Sequence, residues 1–254
     1  MAMVINTNMA SLNAQRHLSG SQSKLAKSME RLATGRRINS GQDDAAGLGI
    51  SSRLGGKIRA LNQSVRNAND GVSMAKAGDG ALAEVANMLE RMRELVNQKG
   101  DGALSAADKS AITAEMTSLQ TEITNIKTNT KFNGVDLLGG LNQTFTVGET
   151  DTYSLNVAAA SVAAGSTATS VEAAIDSVSK ARGNFGKAIT VLESRAKNSA
   201  ALAENLSAAR SQILDADIAA ETAEMTKANV LQQAGVSILA QANQSPQVVL
   251  SLLQ

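Results

Sequence analysis

The chain has 254 residues, a net charge of +1, one histidine, no cysteine, no tryptophan, one proline and only 2% aromatic residues. Enzyme cores of this size rest on aromatic side chains that each bury roughly 150–250 Å², and Phe132, Phe145, Tyr153 and Phe185 are the whole supply here. No disulfide, thiolate nucleophile or Cys-ligated metal is available, and His17 alone makes neither a two-histidine metal site nor, without a nucleophile elbow, a triad.

At the start, MAMVINTNMASLNAQ has no basic n-region and no 7–15-residue apolar stretch, so no secretory signal peptide is expected. Ile5, Met9 and Leu12, then Leu25, Met29 and Leu32, recur at helical spacing. Ser40 with Asp43 is expected to cap a long helix from about Asp44 to Lys99, and Asp43 and Asp44 suit the positive end of its dipole. From residue 54 a heptad repeat gives it two seams. One is Leu54, Leu61, Ala68, Ala75, Leu82, Leu89 and Val96; the other is Ile58, Val65, Val72, Asp79, Ala86 and Arg93. Gly47, Gly49, Gly55, Gly56, Gly71, Gly78 and Gly80 lie inside this helix, each costing about 1 kcal/mol relative to alanine. Close approach of a neighbouring helix or subunit accounts for them; a run of shorter, broken helices is the alternative.

Gly100-Asp101-Gly102 supplies turn chemistry, and Ser105 with Asp108 has the capping-box spacing that opens another helix. Its seam is Ile112, Met116, Leu119, Ile123 and Ile126, and the short connection makes it an antiparallel neighbour. Between 131 and 157 the period changes. Phe132-Asn133-Gly134 and the Thr-, Val- and Tyr-rich run after Gly140 predict one or two β-hairpins. Residues 158–168, AAASVAAGSTA, read as a flexible tip or linker. Heptads resume with Val171, Val178, Phe185 and Leu192 at one position and Ile175, Arg182, Ile189 and Ala196 at the other. From Gln212 the chain is an Ala-, Gln- and Leu-rich helix that Pro246 kinks or divides.

The two ends differ in charge. Residues 1–40 set six cations (Arg16, Lys24, Lys27, Arg31, Arg36 and Arg37) against Glu30, a net of +5. Residues 211–254 set Lys227 against Asp215, Asp217, Glu221 and Glu224, a net of −3. Side-by-side pairing of these ends is the expectation, since neither buries its apolar stripe alone; two solvated faces that never meet are the alternative. The near-neutral whole argues against a nucleic-acid partner, and no 18 consecutive apolar residues are available for membrane insertion. The fold class predicted is therefore mainly α: a long antiparallel helical rod with coiled-coil terminal helices and a small β-hairpin segment.

Several long motifs, in order, resemble bacterial flagellin: VINTN (Val4–Asn8), RLATGRRINSGQDDAAGLGI (Arg31–Ile50), RNANDG (Arg66–Gly71), KFNG (Lys131–Gly134) and VLQQAGVSILAQANQSPQVVLSLLQ (Val230–Gln254). The chain looks like a short form without the variable outer region. The resemblance implies that residues 1–42 and 208–254 form a terminal core domain, with 43–207 as a helical rod domain carrying the hairpin at 131–157. It implies a structural filament subunit for swimming motility, found outside the cell, that needs no cofactor and polymerises with itself. Its other implied partners are a flagellar export chaperone, the type III export apparatus through which the chain leaves unfolded, hook-associated junction and cap proteins, and the vertebrate Toll-like receptor 5.

For single residues, the resemblance places Arg36, Arg37, Asn39, Asp43 and Asp44 in an inter-domain spoke with filament contacts. It places Arg91 and Leu95, four apart on one helix face, with Glu115 of the next helix, at the receptor-recognition surface. Competing readings are a hook–filament junction protein, a soluble helical signalling module, and an enzyme, which the single histidine disfavours.

Overall fold

The computed structural model describes residues 8–163, 165 and 167–251, with side chains described up to 244. Ile5 and the Val4–Thr7 part of the first motif lie outside the described residues, as do Leu252–Gln254 at the end of the last. The chain is mainly helical: α1 (Met9–Thr34), α2 (Ala45–Lys99), α3 (Ala106–Asn129), α4 (Ala168–Leu214) and α5 (Ile218–Ser251). Four short strands, β1 (Lys131–Phe132), β2 (Val135–Asp136), β3 (Leu141–Thr146) and β4 (Thr152–Val157), lie between α3 and α4. Two compact units emerge, one of residues up to Gly55 together with those from Ser207 onward, the other Gly56–Leu206.

In the Gly56–Leu206 unit the helices α2, α3 and α4 enclose an aliphatic core centred on Phe185, with Leu82, Leu89, Met92, Ile123 and Leu192 fully buried. The helix α2 is unbroken despite its glycines. Its first expected seam is the buried one, from Leu61 through Ala68, Ala75 and Leu82 to Leu89. The second seam is corrected by one residue. Ser64, Gly71, Gly78, Val85 and Met92 face inward; of the expected seam only Val72 is buried, while Ile58, Val65, Asp79 and Ala86 are half-buried and Arg93 is exposed. The same shift occurs on most of α4, where Ala174, Ala181 and Ala188 are buried in place of Ile175, Arg182 and Ile189, while Ala196 of the expected row is buried.

Space explains the choice. A Cβ on Gly78 would stand 2.5 Å from the Phe185 ring, and one on Gly71 would stand 2.9 Å from Leu192 and 3.3 Å from Phe145. Large side chains of α4 therefore occupy the room that glycine leaves on α2. The displaced polar positions are used as well, since Arg182 Nε donates to Asp79 Oδ1 at 2.9 Å beside the core.

The hinge from α2 to α3 follows expectation. Ser105 Oγ accepts from the Asp108 N–H, and the Asp108 carboxylate accepts from the Ser105 N–H, closing the capping box. That carboxyl is held below its ordinary range, chiefly by the Ser105 side chain. Both β-hairpins form. Asn133 (φ 48°) and Gly134 (φ 81°) turn β1 into β2 with the positive φ angles of a two-residue type I′ turn. In the second hairpin Phe145 faces Tyr153 across the ladder, and both pack on the helical core. The expected flexible linker is corrected: Ala160 and Val162 are buried, Lys127 and Gln120 donate to their carbonyls, and Ser161 N–H donates to Ser177 Oγ. Ala164 and Ser166, part of that stretch, lie outside the described residues.

In the other unit α1 and α5 lie antiparallel. Asn8 ties both ends: its Oδ1 caps α1 by accepting from Ser11 N–H, and its Nδ2 donates to Ala242 O at 2.8 Å. Near the far end Arg31 meets Glu221 at 3.6 Å, one ion pair of the expected sign between the two chain ends. The buried positions are small: Ser11, Ala14 and Ser28 on α1, and Ala228 on α5. The backbone of α5 stays helical through Pro246.

Candidate assembly surfaces

Gly35 ends α1 in the left-handed region (φ 67°), which only glycine adopts without strain. The chain then runs beside the segment linking α4 to α5. Arg37 N–H donates to Leu214 O (2.8 Å), Ala216 N–H to Gly35 O (3.0 Å), and Arg36 bridges Asp215. Ile38 is buried at the end of this short ladder. The guanidinium of Arg37 is used within the chain, Nη2 donating to Ile213 O at 2.9 Å. The Arg36 side chain is exposed.

Asp43 gathers the following turn. Its Oδ2 accepts from the N–H groups of Asn39 and Ser40 and from Ser40 Oγ, and its Oδ1 lies 2.7 Å from Lys27 Nζ on α1. Lys27 first, then the Asn39 and Ser40 N–H groups, hold this carboxyl well below the usual carboxylate range. Asn39 Nδ2 is buried with no hydrogen-bond partner. Capping of α2 is corrected by one residue: Asp44, just before the helix, accepts from Gly47 N–H at 2.8 Å, while Ser40 and Asp43 lock the turn.

Further along α2, Arg91 and Glu115 come together as expected. Arg91 Nε donates to Glu115 Oε1 (3.1 Å) and Nη1 to Glu94 Oε2 (2.9 Å), and Glu94, then Glu115, raise its already high pKa. Leu95 does not share that surface. It is 1% exposed and belongs to the aliphatic core, because the inward row passes from Met92 directly to Leu95. No group of three or more His, Asp or Glu residues that would hold a metal occurs among the described residues, and no described helix is long and apolar enough to cross a membrane.

The most extensive unexplained feature is on the paired terminal helices. Met9 and Leu12 on α1, and Ile218, Val230, Leu231, Val236 and Ile238 on α5, stand exposed, Val230 by 59% and Ile238 by 57%. The sequence reading put a single apolar stripe there. The signal it passed over is that α5 is apolar on more than one side, the mark of a helix surrounded by other protein.

Comparison with known proteins identifies the family. Residues 5–143 match the family described as the bacterial flagellin N-terminal helical region, and residues 168–253 match its C-terminal helical region. A flagellin of Halalkalibacterium halodurans is 39% identical, with 99% of this chain and all of that one covered. A flagellin of Bacillus subtilis is 36% identical, and the flagellar filament 33 kDa core protein of Treponema phagedenis is 34% identical, each at the same coverage. With both helical regions matched in order and relatives aligned over their full length, the chain belongs to the bacterial flagellin family, the self-polymerising structural subunits of the extracellular flagellar filament, which are not enzymes.

Proposed function

We propose that this chain polymerises through its paired terminal helices, residues 1–42 and 208–254 acting as the polymerising core and 43–207 as the domain outside it. One observation carries the reading: the fully buried positions between α1 and α5 are small residues, and large apolar ones such as Val230, Val236 and Ile238 stand in solvent. Apolar area removed from water contributes roughly 25 cal/mol per Å², so copies that cover these faces gain what a lone copy forgoes. Arg36, exposed beside the Gly35–Ala216 ladder, and Asn39, with its buried unpaired amide, are the contacts expected from the turn. Asp43, Asp44 and Arg37 hold that turn in shape. The test is negative-stain microscopy of seeded chain beside a copy lacking residues 211–254. Filaments from the intact chain alone are expected; filaments from both, or from neither, overturn the reading.

On the same reading the chain leaves the cell unfolded through the flagellar type III apparatus, with an export chaperone covering the apolar C-terminal helix until junction and cap proteins receive it. The lack of cysteine suits that passage, since no disulfide forms on the way. The soluble monomer engages Toll-like receptor 5 through Arg91 and Glu115, whose charges share one half-exposed patch. Arg91→Ala and Glu115→Ala monomers are expected to lose receptor activation while keeping their helical content. Full activation by both variants removes the receptor from the list of partners.

A further inference from the structure

The seam between α1 and α5 carries a volume pattern that neither helix shows alone. From Ser11 to Ser28 the positions of α1 that are not exposed are Ser11, Ala14, Leu18, Ser21, Leu25 and Ser28, spaced three and four apart. On α5 a row of the same spacing runs Met225, Ala228, Gln232, Gly235, Leu239 and Ala242. Each row mixes large side chains with small ones. Leu18 lies on Gly235, where an added Cβ would stand 3.3 Å from Leu18 Cδ1 and 3.8 Å from Leu18 Cβ. The contacts of Asn8 with Ala242 and of Arg31 with Glu221 mark the same antiparallel order on either side.

We propose that these volumes set the register in which the chain pairs its own ends, with Leu18 in the space left by Gly235 as the deciding contact. Counted outward from that contact, Ala14 falls against Leu239, Leu25 against Ala228 and Ser28 against Met225, so that each large side chain meets a small one. A slip of one turn in one direction would set Leu25 against Met225 and Ala14 against Gly235. The opposite slip would set Leu18 against Leu239 and Ala14 against Ala242. Either slip overpacks one layer and leaves a gap in another. Glycine is a poor residue for a helix interior, and the seat it makes for Leu18 is its reason for standing there. The ladder at Gly35 holds the near ends of the pair. The matched volumes carry that register along the helices to Asn8, which closes the far end. The inference goes beyond the polymerisation reading and does not depend on it, since it concerns one chain alone.

The test uses the natural absence of cysteine. The 3.8 Å between the two Cβ positions suits a disulfide, which needs about 3.5–4.5 Å. Full-length chain carrying Leu18→Cys with Gly235→Cys is oxidised beside chain carrying Leu18→Cys with Leu239→Cys, the partner that a slipped register would offer. The expected result is a link within single chains, seen as faster migration that reductant reverses, in the first variant and not in the second. Equal linkage in both, or linkage in the second alone, overturns the proposal. A volume exchange supplies the second readout. Gly235→Leu alone is expected to lower hydrogen-exchange protection of the α1 amides on the order of tenfold, and adding Leu18→Ala to restore it. Protection that Gly235→Leu leaves unchanged, or that Leu18→Ala fails to restore, overturns the role given to this contact. Both readouts use the free chain, so filaments formed without the link would sink this inference alone, and the link without filaments would sink the polymerisation reading alone.

Discussion

The two units solve opposite packing problems. Around Phe185 the large side chains turn inward and meet glycine or alanine on the facing helix, so the Gly56–Leu206 unit completes its core from its own residues. In the terminal pair the small residues turn inward, and Val230, Val236 and Ile238 are left in water. On the proposed reading the difference teaches where stability resides: in the first case within one chain, in the second among several. A subunit that must exist both alone and in a polymer needs one part of each kind.

Mutations that remove or add bulk sharpen this contrast. The largest effect is expected from Phe185→Ala, which empties the centre of the self-contained core and should cost about 3–5 kcal/mol in urea unfolding. Next comes Gly78→Ala. Its Cβ would stand 2.5 Å from the Phe185 ring, so about 1–3 kcal/mol should be lost despite the better helix propensity of alanine. Gly80→Ala, two residues away with nothing within 4 Å, should instead stabilise by up to about 1 kcal/mol in the same experiment. On the terminal pair, Ile238→Ser should change monomer unfolding by less than about 0.5 kcal/mol, as for an exposed site, while raising the concentration needed for polymerisation. A large loss of monomer stability from Ile238→Ser would erase the contrast between the units.

The smallest effect is one of pH. The Asp43 carboxyl is held below its ordinary value of 3.8, so its contribution to folding is complete above that value and is lost only as pH falls through the depressed one. Stability of wild type relative to Asp43→Asn should therefore be constant near neutrality and shrink below about pH 4.

Most of the helices, the Ser105 cap and the hairpins were legible because each has a local cause: heptad spacing, a capping pair, an Asn-Gly turn. The inward rows were legible by half. Hydrophobicity favours Ile58 and Val65 over Ser64, Gly71 and Gly78, and only the partner helix reveals that Phe185 and Leu192 already fill the space beside the two glycines. For the same reason Leu95 reads as a neighbour of Arg91 along the sequence yet faces inward. The stretch after β4 reads as linker because alanine and serine carry no periodic signal, although Ala160 and Val162 complete the core. Of the candidate site, Asp43 and Asp44 were legible as a charged pair, but which of them caps α2 depends on a turn geometry that composition does not encode.

The hydrogen bond from Asn8 to Ala242 joins residues 234 positions apart. All of the Gly56–Leu206 unit lies between them in sequence, and that unit can condense from contiguous chain. The terminal pair has no such shortcut: α1 waits, without its mate, until α5 has been delivered. Closing the pair thus works as a proof of arrival. A molecule interrupted after Leu206 would still hold the whole of its Gly56–Leu206 unit, yet on the proposed reading would lack the paired helices through which copies join, so that only finished subunits are counted in.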